Sequence, residues 1–248
     1  MRKILVFDLE TTGLDKYKDQ IVQFAGCIFD RDTKQLIKKF DTYIKPTGNY
    51  SISIGAYLKT GISPKILEDK PELINVAPTI IELFNECDEI LTYNGFNFDM
   101  QFLNIKLNEI GYNIDFKSKK CYDSFLIEKE RNGIRLEQTF KRYRNLSMED
   151  AGYTAHNAFS DVLATYDVFE SQNKEDPVKP ENFYGIDNVI VDKPFDGVML
   201  PTFNIGKYKG APVKYISNID QNYLKWCISD KCNFVNDTKE FLKQFIND

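Results

Sequence analysis

The alternation of apolar and polar positions opens on three strand-like stretches. Lys3 to Leu9, Ile21 to Phe29 and Leu36 to Ile44 are runs of strand length, rich in branched and aromatic residues. Thr12-Gly13-Leu14-Asp15 supplies the first turn. A long loop is predicted after Pro46, closing at Gly61-Ile62-Ser63-Pro64, and the spacing from Ala77 to Phe84 predicts a helix. Glu89 to Tyr93 reads as a further short strand, leading through Asn94-Gly95 into a helix from about Phe98 to Ile110. Helical spacing returns over Ser124–Glu130, Leu136–Tyr143 and Ala158–Glu170. Three adjacent strands, followed by strand and helices in alternation, predict an α/β fold: a mixed sheet flanked by helices.

Ser171 to Asn182 is polar, carries two prolines and has no apolar period, so it reads as a linker. The predicted division is a large domain over 1–171, a linker over 172–199 and a small α+β module over 200–248. In that module Phe203 to Ile216 reads as a hairpin around Lys209-Gly210, with helices at Tyr223–Ile228 and Glu240–Ile246.

Length agrees with this division, since 248 residues exceed one domain of about 150 by a small appendage. Hydrophobic residues at 42% and charged residues at 28% fit a cored protein. No run of about eighteen apolar residues occurs, so no membrane partner is expected. The first eight residues hold too short an apolar stretch for a secretory signal. Five scattered cysteines, none in C-x-x-C, argue against a disulfide framework. A cytoplasmic address follows as the expectation. The net charge of −5 argues against a general nucleic-acid coat, but not against an enzyme that gathers acids around metal. Lys117 to Arg144 holds nine Lys or Arg against four Asp or Glu, and suits a solvated helix face or a phosphate track.

Three stretches carry candidate chemistry. In Phe7-Asp8-Leu9-Glu10-Thr11-Thr12-Gly13, a strand points Asp8 and Glu10 to one face. Two carboxylates near a core repel each other and resist desolvation. A divalent cation removes both penalties, and oxygen ligands suit Mg²⁺ or Mn²⁺. A strand that has already reached solvent at Asp8 accounts for the pair equally well. In Tyr93-Asn94-Gly95-Phe96-Asn97-Phe98-Asp99, Asp99 falls in the first turn of a helix, where it also complements the dipole, and Asn97 suits a cap. In Ala155-His156-Asn157-Ala158-Phe159-Ser160-Asp161 stands the only histidine of the chain. Five helical residues separate side chains by about 140°. His156 therefore belongs in the loop before the helix, with Asp161 on the helix face of Ala158, Thr165 and Val168.

Taken together, Asp8 and Glu10, then Asp99, then His156 and Asp161 resemble the three motifs of the DEDD 3′–5′ exonucleases, in the branch with histidine five positions before the last aspartate. The resemblance covers about residues 3–171. It departs at Asn94-Gly95, where many relatives carry His-Asn. Phe203 to Gly210, with Asp220, Tyr223, Leu224 and Trp226, resembles the small module that follows the nuclease in exodeoxyribonuclease X-like proteins. There Lys207 and Lys209 flank an aromatic residue, which suits phosphate contact and base stacking, or an exposed hairpin with solubilising lysines.

The resemblance implies a ribonuclease H-like fold and a metal-dependent 3′–5′ exonuclease that releases nucleoside 5′-monophosphates from DNA, with single strands expected. It implies two Mg²⁺ or Mn²⁺ ions, with Asp8, Glu10 and Asp161 on one, Asp8 bridging, and Asp99 reaching the second through water. His156 takes the role of general base. Thr11, Thr12, Gly13 and Leu14 are expected to line the terminal nucleotide, with Asn94 and Phe98 opposite. An RNA-directed enzyme of the same fold is the alternative, followed by a non-catalytic nucleic-acid-binding subunit. The C-terminal module is expected to grip nucleic acid or to recruit a replication or repair protein.

Overall fold

The structure, a computed structural model, describes every residue except 1, 131–134, 176, 181–188, 196, 230, 233, 235 and 247–248. Two compact units divide the chain, 1–180 and 181–248. The first holds β1 (Lys3–Thr11), β2 (Ile21–Asp30), β3 (Leu36–Tyr43), α1 (Ile54–Thr60), α2 (Pro64–Leu67), α3 (Leu73–Asn85) and β4 (Glu89–Thr92). It continues with α4 (Asp99–Glu109), β5 (Lys120–Asp123), α5 (Ser124–Glu130), α6 (Leu136–Arg144) and α7 (Ala158–Glu175).

The sheet runs β3-β2-β1-β4-β5. β1, β2 and β3 pair antiparallel, while β4 and β5 run parallel to β1. This is the mixed, helix-flanked sheet that the apolar pattern predicts. β1 lies at its centre with both faces covered, which explains its near-continuous apolar sequence. Ile4 and Val6 pack toward Ala158, Val162, Tyr166 and Phe169 of α7. On the other face Phe7 stacks on Phe24 at 6.0 Å and meets Phe84 of α3 edge-on at 5.1 Å. Arg31, following β2, fixes the far end of α7 through Glu170 at 2.9 Å and β4 through Glu89 at 3.0 Å.

The differences from the predicted elements have local causes. α3 begins at Leu73, ahead of the predicted Ala77, because Glu72 and Asn75 close a reciprocal capping box. The loop after Pro46 contains α1 and α2. β5 has only four residues, too few to show an alternation. α7 runs on to Glu175, into residues read as linker. Their polarity there serves buried pairing: Gln172 is fully buried and donates to the Ser124 carbonyl at 3.1 Å and to Glu128 at 2.9 Å. Part of the predicted linker, 181–188, lies outside the described residues.

In the second unit, β6 (Ile190–Phe195) pairs antiparallel with β7 (Val198–Phe203), and α8 (Val213–Ile219), α9 (Gln221–Ile228) and α10 (Asn236–Lys243) follow. The hairpin therefore precedes the predicted one, and Val213 onward is helical. Pro194 and interleaved polar residues conceal β6 in the sequence, a pattern tolerated on an edge strand. Phe203, Val213, Ile216, Leu224, Cys227 and Leu242 are among its buried core. Among the described residues no helix is long and apolar enough to cross a membrane.

Candidate active site

The cleft forms where β1 outruns its parallel neighbour. β4 pairs with β1 only at Ile4, Leu5 and Val6. Beyond that point the Leu9 N–H donates to the Asp99 carboxylate at 3.1 Å. Asp99 thus does more than complement the dipole of α4; it closes the open edge of β1 and is itself buried. Asp8 and Glu10 follow Ile4 and Val6 on the face that receives α7, and β1 stays paired with β2 to Thr11. Asp8 itself is half-buried, but the strand on either side of it, Val6, Phe7, Leu9, Glu10 and Thr11, is buried. Asp161, in the first turn of α7, completes a group in which oxygens of Asp8, Glu10 and Asp161 all lie within 4.8 Å of one another. Ala158 packs on the sheet beside Asp161, whereas Val168 packs with Phe140 and Met148.

His156 sits in the loop before α7 with φ 61°. Histidine is one of the few side-chain-bearing residues enriched in this left-handed region, and surroundings that over-determine the loop maintain it. Asn157 caps α7, its side chain accepting from Ser160 N–H at 3.2 Å, and Thr154 N–H donates to Ser160 Oγ at 3.1 Å. The His156 backbone N–H lies near enough to the Asp161 carboxylate to oppose part of the rise in its pKa. Its ring Nε2 lies 3.4 Å from Glu137 Oε1.

Four carboxylates share this space, and among the described residues none of them is in an ion pair. Burial pushes Asp8 well above the usual carboxylate range, and Asp99, Asp161 and Glu10 add to the push. Burial likewise raises Glu10 to about 8, against the opposing pull of Lys59. Asp99 rises to about 7 through burial, and Asp161 to about 7 through burial and Glu137. Burial lowers His156, helped by Lys59 and opposed by Glu137. Crowded oxygen donors that resist ionisation while empty-handed are the donor set a divalent cation satisfies, so Mg²⁺ or Mn²⁺ fits these residues.

Two lobes meet at Asp8, Asp161 and Lys59. One, of about 530 Å³, is lined by Thr11, Gly13, Leu14, Asn94, Phe98 and residues of α1. The other, of about 400 Å³, holds His156, Glu137, Arg135 and Phe125. Five of the six predicted nucleotide contacts therefore line one lobe. Thr12 does not: it is 2% exposed, and its hydroxyl donates to Asp19 at 2.9 Å and accepts from Gln20 N–H at 3.0 Å. Gly13 is required by the same turn, since a Cβ there would meet the Asp19 carboxylate at 2.4 Å. Asn97 is not the N-cap of α4, a place taken by Phe98; its side chain donates to Asn94 Oδ1 at 2.8 Å. Gly95 leaves no room for a Cβ against Thr92.

Sequence reasoning missed Lys59, Arg135, Glu137 and Asp123. Asp123, buried at the end of β5, accepts from Asn94 N–H at 2.6 Å and Phe96 N–H at 3.1 Å and so shapes the turn into α4. Its signal was an acid at the end of a strand too short to be read. Lys59 stood in what read as a loop.

The architecture and the acid cleft define the class to which comparison then gives a name. The exonuclease family profile matches residues 5–169, and the exodeoxyribonuclease X-like C-terminal profile matches residues 203–230. The chain belongs to the exonuclease family. DNA polymerase III PolC-type from Ureaplasma parvum is 25% identical over 221 residues, 88% of this chain and 15% of that protein. The PolC-type polymerase of Bacillus subtilis is 32% identical over 106 residues, 43% of this chain and 7% of that protein. The chain thus spans a small part of the length of these relatives. Exonuclease I of E. coli in complex with a dA16 oligonucleotide shares the fold, with TM-score 0.61 and 23% identity over 71% of this chain and 42% of that one. Its zinc-bound complex with single-stranded DNA gives TM-score 0.62 at 24% identity.

Proposed function

We propose that the first unit is a metal-dependent 3′–5′ exonuclease that releases nucleoside 5′-monophosphates from the 3′ end of single-stranded DNA. The observation that carries this reading is the convergence of Asp8, Glu10 and Asp161 within 4.8 Å, in a cleft that also holds Asp99 and His156. Asp8, Glu10 and Asp161 would hold one Mg²⁺ or Mn²⁺, and Asp8 with Asp99 a second. Such ions, when bound, polarise the phosphate and supply water of lowered pKa. His156 is assigned the proton of the attacking water, a role that needs a neutral imidazole, which its lowered pKa favours. Glu137, within reach of Nε2, stabilises the imidazolium that results. Leu14, 83% exposed, and Phe98 face the same lobe and are assigned the terminal base, with Thr11, Gly13 and Asn94 around it. Thr12 shapes that loop from behind.

Single-stranded DNA is favoured because the structurally similar Exonuclease I was solved with dA16. The second unit is assigned to substrate grip and not to chemistry, since all five catalytic candidates precede it. Lys209, Lys214, Lys225 and Trp226 are exposed there. Lys207 is engaged by Asp220 at 2.9 Å and is not counted among the gripping residues. Recruitment of a replication or repair protein is the competing assignment for this unit. Five buried cysteines, none of them in a disulfide among the described residues, accord with a cytoplasmic address.

The test is digestion of a 5′-labelled single strand in Mg²⁺, beside matched duplex and RNA. A descending ladder from the DNA strand, abolished by EDTA, is expected. Immediate release of labelled mononucleotide, or cutting of a circular strand, would overturn the reading; faster loss of the RNA would transfer it to the ribonuclease alternative.

A further inference from the structure

We propose that Lys59 and Arg135 form a two-sided clamp on the phosphodiester backbone of the strand, upstream of the nucleotide being removed. The inference rests on the exonuclease reading and adds to it the residues that hold the rest of the chain. Lys59 lines both lobes with Asp8 and Asp161, and Arg135 lines the lobe of His156. Among the described residues, no other Lys or Arg lines either lobe. Both side chains are exposed, and among the described residues neither is within ion-pairing distance of a carboxylate. They contrast with Arg31, Lys34 and Arg142, whose charges are held by Glu89, Glu170 and Glu128.

The backbones beneath the two cations are fixed although the side chains are free. α1 is capped by Ser53, whose side chain accepts from Ala56 N–H at 3.1 Å, and ends at Gly61 with φ 70°. Ser53 N–H donates to the Thr12 carbonyl at 2.8 Å, which ties α1 to the turn that lines the same lobe. After Gly61 the chain anchors through Ile62, buried with Val22 and Leu67. Across the cleft, the Arg135 carbonyl accepts from Thr139 N–H at 3.0 Å, opening α6, while Leu136 packs on Phe140 and Met148. With the backbone already fixed, only the side chain's own rotamer freedom is lost when the cation takes up a ligand.

The ligand chemistry follows from charge. Asp8, Glu10, Asp99, Asp161 and Glu137 make the cleft acidic, so a polyanion meets repulsion there. Two divalent ions offset four carboxylates and leave the successive phosphates of the strand to the protein's own cations. Lys59 and Arg135 are those cations. Their separate walls, α1 and the start of α6, suit one strand passing between them.

The experiment is anisotropy of a labelled oligothymidylate on the full chain, with Ca²⁺ in place of Mg²⁺, across a KCl series. Each lost contact lowers the salt slope on a single strand by about 0.7. Lys59→Gln and Arg135→Gln should each do so, the double variant should lose about 1.4, and Lys59→Arg should keep the wild-type slope. In Mg²⁺ the variants should raise KM by a larger factor than they lower kcat. A role as mere counter-charge to the acids predicts instead a tighter Mn²⁺ half-saturation with the full salt slope, and that result overturns the clamp. Wild-type chain that degrades the strand while the variants keep its slope overturns the clamp alone. Wild-type chain that neither binds nor shortens the strand overturns the exonuclease reading and the clamp with it.

Discussion

Asp220 in the second unit and Asp8 in the first are both acids amid aromatic and charged neighbours, yet they sit in opposite electrostatic states. Asp220 accepts from Lys207 Nζ at 2.9 Å, Tyr208 OH at 2.7 Å and Tyr223 N–H at 3.0 Å. The Lys207 and Tyr208 hydrogen bonds hold its carboxyl down at about 2. Asp8 and Glu10 accept no hydrogen bond among the described residues, and burial lifts both far above the carboxylate range. Acids that already have their donors hold a turn in place. Acids crowded together without donors are destabilised as folded, and their arrangement is explained by a cation that arrives from outside. The contrast also revises the module: Lys207 looks in the sequence like a phosphate contact, but its ammonium is taken by Asp220 and lies 4.7 Å from the Tyr208 ring.

The contrast is broken most severely at Asp8. Asp8→Ala should lower the rate in Mg²⁺ by more than about a hundredfold, because several kcal/mol of transition-state stabilisation depend on the metal site. The metal-free variant should be as stable as the wild type or more so, since a repelling buried carboxylate is gone. Residual activity above that level, measured on the purified variant, contradicts the metal assignment. His156→Ala comes next, with an expected loss of about 10²–10⁴-fold. His156 must be neutral to accept a proton, so at saturating Mg²⁺, where loading of the raised acids no longer limits the rate, the acidic limb should fall below the ordinary 6.5 and vanish in the variant. An unchanged rate and pH profile would leave His156 with only its loop role. The smallest effect is expected at the paired cluster's rim. Trp226, the single tryptophan, is 47% exposed and stacks on Tyr223 at 5.9 Å. Its fluorescence should be quenched by single-stranded DNA, and Trp226→Ala should weaken binding by about 1–3 kcal/mol. Undisturbed fluorescence and affinity would favour a protein partner for the module.

The legibility of the sequence follows the same division. The five catalytic candidates were readable because strand alternation and loop-before-helix placement keep their relations local, and the family resemblance joined them. The face of Asp8 and Glu10 follows from the period of β1 alone. Lys59, Arg135 and Glu137 were not readable, because they reach the cleft through tertiary packing of α1 and α6 and obey no spacing with the acids. Thr12 illustrates the reverse error. It belongs to a motif that lines the cleft, yet its hydroxyl is turned back into the loop by Asp19 and Gln20. β6 was hidden for a simpler reason: an edge strand containing Pro194 presents the composition of a linker.

The central claim is that the crowded cleft acids resist ionisation until a divalent cation joins them, and thermal unfolding against pH tests it most directly. Glu10, Asp99 and Asp161 have folded pKa values raised to about 7 or 8, so the folded chain binds more protons than the unfolded one between the ordinary carboxylate range and those values. Their contribution to stability is complete at low pH and is lost as pH rises through about 7 to 8. His156, shifted downward, adds an opposing slope near 6.5, and the lowered acids such as Asp220 act only in more acidic solution. In EDTA, Tm should therefore fall from about pH 5.5 to about pH 8.5. Saturating Mn²⁺ should raise Tm most at the upper end, and Asp8→Asn should flatten the decline. A Tm in EDTA that holds or rises over that range, with no greater stabilisation by Mn²⁺ at high pH, would contradict the account.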